Sequence, residues 1–175
     1  EPALLLAVFT LAMTVASTNL STMIAHLATA PLQLYPSFIF AALAMALVAV
    51  AETGRVPIDN PATHLELTMT HEAMILEYSS RHLALMEWVA MMKLFLYGVL
   101  LVNLFIPWGV GQDYTPAAIS LGFLAITAKL FILGIVLAVT ETSLAKMRLF
   151  RVPQYLSLAF ILSLIGLLSH VILER

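Results

Sequence analysis

Six of the ten acidic residues in this chain fall between positions 52 and 93: Glu52, Asp59, Glu66, Glu72, Glu77 and Glu87. Carboxylates gathered where water is scarce cannot all ionise, so some of them titrate near neutrality and pass protons at physiological pH. The plainer alternative is a solvated acidic loop that pairs with Arg55, Arg81 or basic residues on a partner. Two lysines, Lys93 and Lys129, stand inside long apolar stretches. An ammonium at that depth costs at least about 2.5 to 3.5 kcal/mol and persists only beside a carboxylate, a polar cavity or water. Glu87 precedes Lys93 by about one and a half helical turns, and Glu141 ends the stretch that holds Lys129. Acids at one membrane surface followed by deep amines outline a proton route. Against it stands the reading in which each lysine snorkels or makes one fixed ion pair at a helix contact.

The other polar residues carry less chemistry. His64 and His71 share a helical line but lie about 10.5 Å apart along it, too far to hold one metal ion. His26 and His170 fall near the opposite surface, where solvation or a single hydrogen bond accounts for them. Asn19 and Asn103, inside apolar stretches, are expected to bond between helices. The nine methionines read as packing filler. With no cysteine the chain forms no disulfide, thiolate metal site or cysteine-ligated iron–sulfur cluster, so any redox centre is expected in another subunit.

Helices in lipid must position these groups. The 175 residues are 62% apolar and 10% charged, against about 25% charged in a soluble domain. A mean hydropathy of +1.01 leaves too little polar surface for a water-soluble fold. The formal charge of −2, with basic residues scattered or at helix ends, excludes a nucleic-acid surface.

Crossing a membrane takes about 20 mainly apolar residues, and five stretches qualify: 3–25, 37–52, 84–106, 117–141 and 154–172. Prolines at 31, 36, 61, 107, 116 and 153 punctuate them at positions where a missing N–H costs little. Segment 53–83 carries Arg55 and Arg81, and segment 146–151 carries Lys146, Arg148 and Arg151, whereas 26–36 and 106–116 have no Lys or Arg. The positive-inside rule therefore puts 53–83 and 146–151 on the cytoplasmic side of a multi-pass membrane protein. Tyr35, Trp108, Tyr114 and Tyr155 fall at the expected interfaces. No repeat or linker divides the chain, so residues 1–175 read as one membrane domain. The start at Glu1, without a basic leader or cleavage site, is expected of a piece from the C-terminal part of a longer subunit.

Within the acidic segment, Asn60 and Pro61 set an N-cap and first helical position, and 62–78 is expected to form an amphipathic helix ended by Ser79 and Ser80. Glu66 and Glu77 differ by only about 20° around such a helix. The expected fold is thus all-α, a bundle of five spanning helices plus one cytoplasmic amphipathic helix.

The residues ETGRVPIDNPATHLELTMTHEAMILEYSSRH, 52–82, resemble the cytoplasmic loop of respiratory complex I subunit 1 and its hydrogenase relatives. The resemblance rests on the acid ending a span, the basic residue, the turn at Pro57, Asp59 and Pro61, the pair Glu66 and Leu67, and the triplet 77–79. Ala62, Thr63 and His64 stand where the quinone-reducing form has an acid-rich triplet, and the stretch from Glu66 to Glu77 is about one helical turn longer. HLELTMTHEAMILEYS is instead similar to the membrane subunit of formate hydrogenlyase and related group 4 [NiFe]-hydrogenases.

That resemblance implies a non-catalytic membrane subunit, surrounded by lipid, of a bacterial or archaeal complex. It would lie beneath a cytoplasmic arm of hydrogenase large and small subunits and an iron–sulfur subunit, which hold the nickel–iron centre and the clusters. Antiporter-like membrane subunits would lie beside it. Glu52, Arg55, Asp59, Glu66, Glu77 and Arg81 match the loop facing the arm, with Arg55 and Arg81 in docking. Glu72 lies in the hydrogenase-like stretch and Glu87 at the start of the next span. Lys93, Lys129 and Glu141 enter by depth alone. The competing expectations are a quinone-site subunit of an NADH:quinone oxidoreductase, a passive anchor, and an independent channel, the last weakened by the lack of an inverted repeat.

Overall fold

A computed structural model describes residues 2–29, 35–56, 58, 78–110, 115–144 and 152–173 of the chain. They form helices α1 (Pro2–Val15), α2 (Leu20–Thr29), α3 (Pro36–Glu52), α4 (Arg81–Phe105), α5 (Pro116–Ser143) and α6 (Val152–Leu173), with no strand among the described residues. The all-helical expectation holds. Pro36 and Pro116 open their helices at the first position, and the Thr115 side chain accepts the Ala118 N–H at 3.3 Å. This is the N-terminal chemistry that spares a proline its missing donor.

Helices α4, α5 and α6 run 25, 28 and 22 residues and are long and apolar enough to cross a membrane. Helix α3, at 17 residues, is apolar but shorter. The stretch 3–25, expected as one continuous helix, is broken: α1 and α2 meet at a 60° bend. Taken together they would make a fourth span.

The break has a local cause. Ala16 N–H bonds Met13 O and Ser17 N–H bonds Ala12 O, which closes α1 with Ala16 at φ 54°. Asn19 Oδ1 then accepts the Ser21 N–H at 3.0 Å, Ser17 Oγ accepts the Asn19 N–H at 3.2 Å, and the Ser17 and Thr22 hydroxyls meet at 2.6 Å. Short polar side chains here offer the backbone an alternative to helix bonds. Asn19 caps α2 rather than bridging two spans.

The packed centre is α1, α3 and α6. Its buried faces are lined by small residues: Ala3 and Ala7 on α1, Ser37, Ala41 and Ala44 on α3, and Ala159, Ser163 and Gly166 on α6. Small residues let backbones approach where lipid offers no hydrophobic drive for association. A Cβ at Gly166 would lie 3.2 Å from Ser37 O and 3.3 Å from Ala41 N. Leu11, Met23, Met45, Leu104 and Phe105 form one cluster with Ala7, Ala41 and Ala44, and there the Phe38 and Phe105 rings meet edge-on at 5.1 Å. It ties α4 to α3.

Helix α5 packs only against α4 among the described helices and buries none of its residues. Gly98 of α4 receives the Leu130 and Leu133 side chains, each 3.4 Å from where a Cβ would stand. Phe123, Leu124 and Phe131 of α5 are each more than 70% exposed, a surface suited to lipid rather than water.

Candidate functional site

Helix α3 ends in a backbone arrangement that turns the chain sharply back. Gly54 N–H bonds Ala51 O and Arg55 N–H bonds Val50 O, with Gly54 at φ +62°. This is the pairing that satisfies the last carbonyls of a helix when glycine takes the left-handed position. Thr53 Oγ1 adds a bond to Ala49 O at 2.7 Å. The turn brings Glu52, the last residue of α3, and Arg55 close together as opposite charges at one helix end.

Each of them pairs across the bundle. Lys93 Nζ donates to Glu52 Oε2 at 2.8 Å, and Arg55 Nη1 donates to Glu141 Oε1 at 3.3 Å. One turn therefore ties α3 to α4 through a base on α4 and to α5 through an acid on α5. The side chains retain 44% and 30% exposure in the first pair and 39% and 27% in the second, so none is sealed in the interior. Lys93 is the middle residue of α4, whereas Glu52 ends α3. About 18 Å of α4 precedes Lys93, and this stretch presents Leu85, Trp88, Val89, Met91 and Met92 as exposed side chains.

The partner of Lys93 is thus Glu52 rather than Glu87, which is exposed on the same helix. Six residues on a helix place Glu87 about 120° away around the axis. Arg81, at the first position of α4, is also exposed.

Lys129 sits elsewhere. Its Nζ donates to Ile106 O at 2.6 Å and also to Trp108 O, the carbonyls just past the end of α4. An ammonium there satisfies acceptors that the helix leaves unpaired and meets the negative end of the helix dipole. Glu141 therefore shares a helix with Lys129 but joins a different cluster. Tyr155, which hydropathy places in an interfacial belt, donates its hydroxyl to Leu47 O at 3.2 Å. It fastens α6 to α3 little more than one turn before Glu52. No signal in the sequence singles out that contact.

Asp59, Glu66, Glu72 and Glu77, the helix expected over 62–78, and His64 and His71 lie outside the described residues. Of the other positions that the sequence singles out, Glu52 pairs with Lys93 and Arg55 with Glu141, while Arg81, Glu87 and Lys129 belong to neither pair.

A family model described as NADH dehydrogenase matches residues 1–172, and the chain belongs to that family. Formate hydrogenlyase subunit 4 of Escherichia coli (strain K12) is 30% identical over 154 residues, covering 88% of this chain and 49% of the relative. Hydrogenase-4 component C of the same organism is 28% identical over 166 residues, covering 93% of this chain and 50% of the relative. The chain spans about half the length of these curated relatives.

Proposed function

We propose that this member of the NADH dehydrogenase family serves as a non-catalytic membrane subunit of a membrane-bound [NiFe]-hydrogenase complex of the formate hydrogenlyase kind. It docks a cytoplasmic redox arm and links electron transfer there to movement of protons or another ion. The likeness to formate hydrogenlyase subunit 4 and hydrogenase-4 component C supports the complex. The observation that carries the coupling role is the meeting of Glu52, Arg55, Lys93 and Glu141 at one turn that joins three helices. In this reading α1 with α2, α3, α4, α5 and α6 make five passes, and 53–83 and 146–151 face the cytoplasm. The nickel–iron centre and iron–sulfur clusters reside in the partner subunits.

In mechanism, a change of charge or shape at the redox arm shifts the proton affinities of Asp59, Glu66, Glu72 and Glu77. The shift passes to Glu52 and its partner Lys93, and through Arg55 to Glu141. Arg81, with Arg55, serves in docking the arm, and Glu87 belongs to the proton route toward Lys93. Lys129, held by two backbone carbonyls, acts as a tether.

The test has two arms. The polypeptides that copurify with the tagged chain are expected to include a large nickel-containing subunit; a quinone-reducing NADH module in its place assigns the chain to the quinone branch. Glu66→Gln or Glu77→Gln is expected to leave assembly intact and uncouple or slow turnover. Normal coupled turnover in both variants would overturn the coupling role. A passive anchor is the second reading, favoured by the Lys129 tether. On that view Lys93→Met impairs assembly while ion movement per assembled complex stays unchanged.

A further inference from the structure

We infer that Glu52, Arg55, Lys93 and Glu141 form one exchangeable latch with two pairing states, rather than two independent ion pairs. In the state observed, Glu52 pairs with Lys93 and Arg55 with Glu141, and both bonds tie the end of α3 to its neighbours. In the other, Glu52 pairs with Arg55 within the turn, Lys93 pairs with Glu141 between α4 and α5, and only the C-terminal end of α3 is released, its apolar packing on α4 remaining. This goes beyond the proposed function and does not rest on it.

Four features carry the inference. The turn that ends α3 carries one acid and one base, and their partners are one base and one acid, so either set of partners leaves no charge over. Glu52 and Arg55 are three residues apart, the spacing at which side chains on a helical turn reach one another. Helices α4 and α5, which carry Lys93 and Glu141, pack directly against each other, whereas α3 and α5 do not, so the exchanged pair joins natural neighbours. Finally, the turn has freedom to move: Gly54 between the charged residues has φ +62° and no neighbouring atom within 4 Å of a Cβ position. Each of the four side chains keeps at least a quarter of its surface uncovered by the rest of the chain, so packing within the chain locks neither arrangement.

Charge swaps separate exchange from fixed pairing. Glu52→Lys with Lys93→Glu preserves both observed pairs but makes both exchanged pairs repulsive. Arg55→Glu with Glu141→Lys does the same from the other side. All four substitutions together restore both states with reversed signs.

The readout is hydrogen exchange at the Gly54 and Arg55 amides, which bond Ala51 O and Val50 O. It is measured on the chain in lipid nanodiscs with whatever subunits copurify, and therefore requires no activity. Each two-residue swap is expected to slow exchange by about fivefold or more, because the released state is lost. The four-residue swap is expected to return it to the parent rate. Equal rates in all four proteins, or a four-residue swap as slow as its components, overturn the latch. Loss of the fold in both two-residue swaps overturns it as well, since each keeps the pairing seen in the structure.

Discussion

Lys93 Nζ lies 2.8 Å from Glu52 Oε2 although 41 residues separate them in the chain, so the middle of α4 is level with the end of α3. The base on the long helix is neutralised where the short helix stops, and the first half of α4 continues past that level.

Removing one member of this pair leaves the other charge without its partner. Lys93→Met is expected to destabilise the chain by about 1 kcal/mol, a value held low because both side chains are partly exposed. Glu52→Gln in the same protein is expected to recover part of the loss. Thermal unfolding of both single variants and the double variant in detergent checks this, and strictly additive effects would count against a direct interaction.

Lys129→Met leaves the Ile106 and Trp108 carbonyls without their donor and is expected to cost about 1 to 2 kcal/mol. Lys129→Arg keeps a donor with positive charge and is expected to restore most of it. Faster hydrogen exchange confined to residues 106–110 in the Met variant is the local signature; unchanged exchange there would remove the tether.

The close crossing of α3 and α6 predicts a sharp contrast between two glycines. Gly166→Ala places a Cβ 3.2 Å from Ser37 O and is expected to cost about 1 to 3 kcal/mol by forcing the backbones apart. Gly134→Ala has open space around it and is expected to be neutral or stabilising by up to about 1 kcal/mol. Melting temperatures of the two variants in one detergent decide it.

Ala16 ends α1 at φ 54°, a conformation that costs a residue with a Cβ about 1 to 2 kcal/mol. Ala16→Gly is accordingly expected to raise stability by about 1 kcal/mol while preserving the 60° bend. The gain stays below the full strain because glycine also gives the unfolded chain more freedom. A lower melting temperature would show that the break does not depend on this residue's backbone.

Much of the architecture is legible in the sequence because hydropathy and proline placement are local properties. The stretches 84–106, 117–141 and 154–172 anticipate α4, α5 and α6 to within about three residues, the usual uncertainty of a helix end. The break inside 3–25 escaped an average dominated by leucine and alanine, although Ser17, Thr18 and Asn19 carry its cause in plain view. Hydropathy weighs these residues as mildly polar and overlooks their capacity to bond the backbone.

Composition by itself determined that this is an apolar helical protein, that it holds no thiolate chemistry, and that its acids gather between two apolar stretches. Only the tertiary structure decided which charges meet. Glu52 with Lys93 and Arg55 with Glu141 are joined across 41 and 86 positions, and their meeting depends on how far each helix slides and turns against the next. Small residues at the α3, α6 and α1 crossings and the end of α3 at Gly54 set those displacements, which no periodicity within a single helix encodes. For the same reason two lysines of similar apparent depth part ways: one reaches a carboxylate at the end of a short helix, and the other closes the end of a long one.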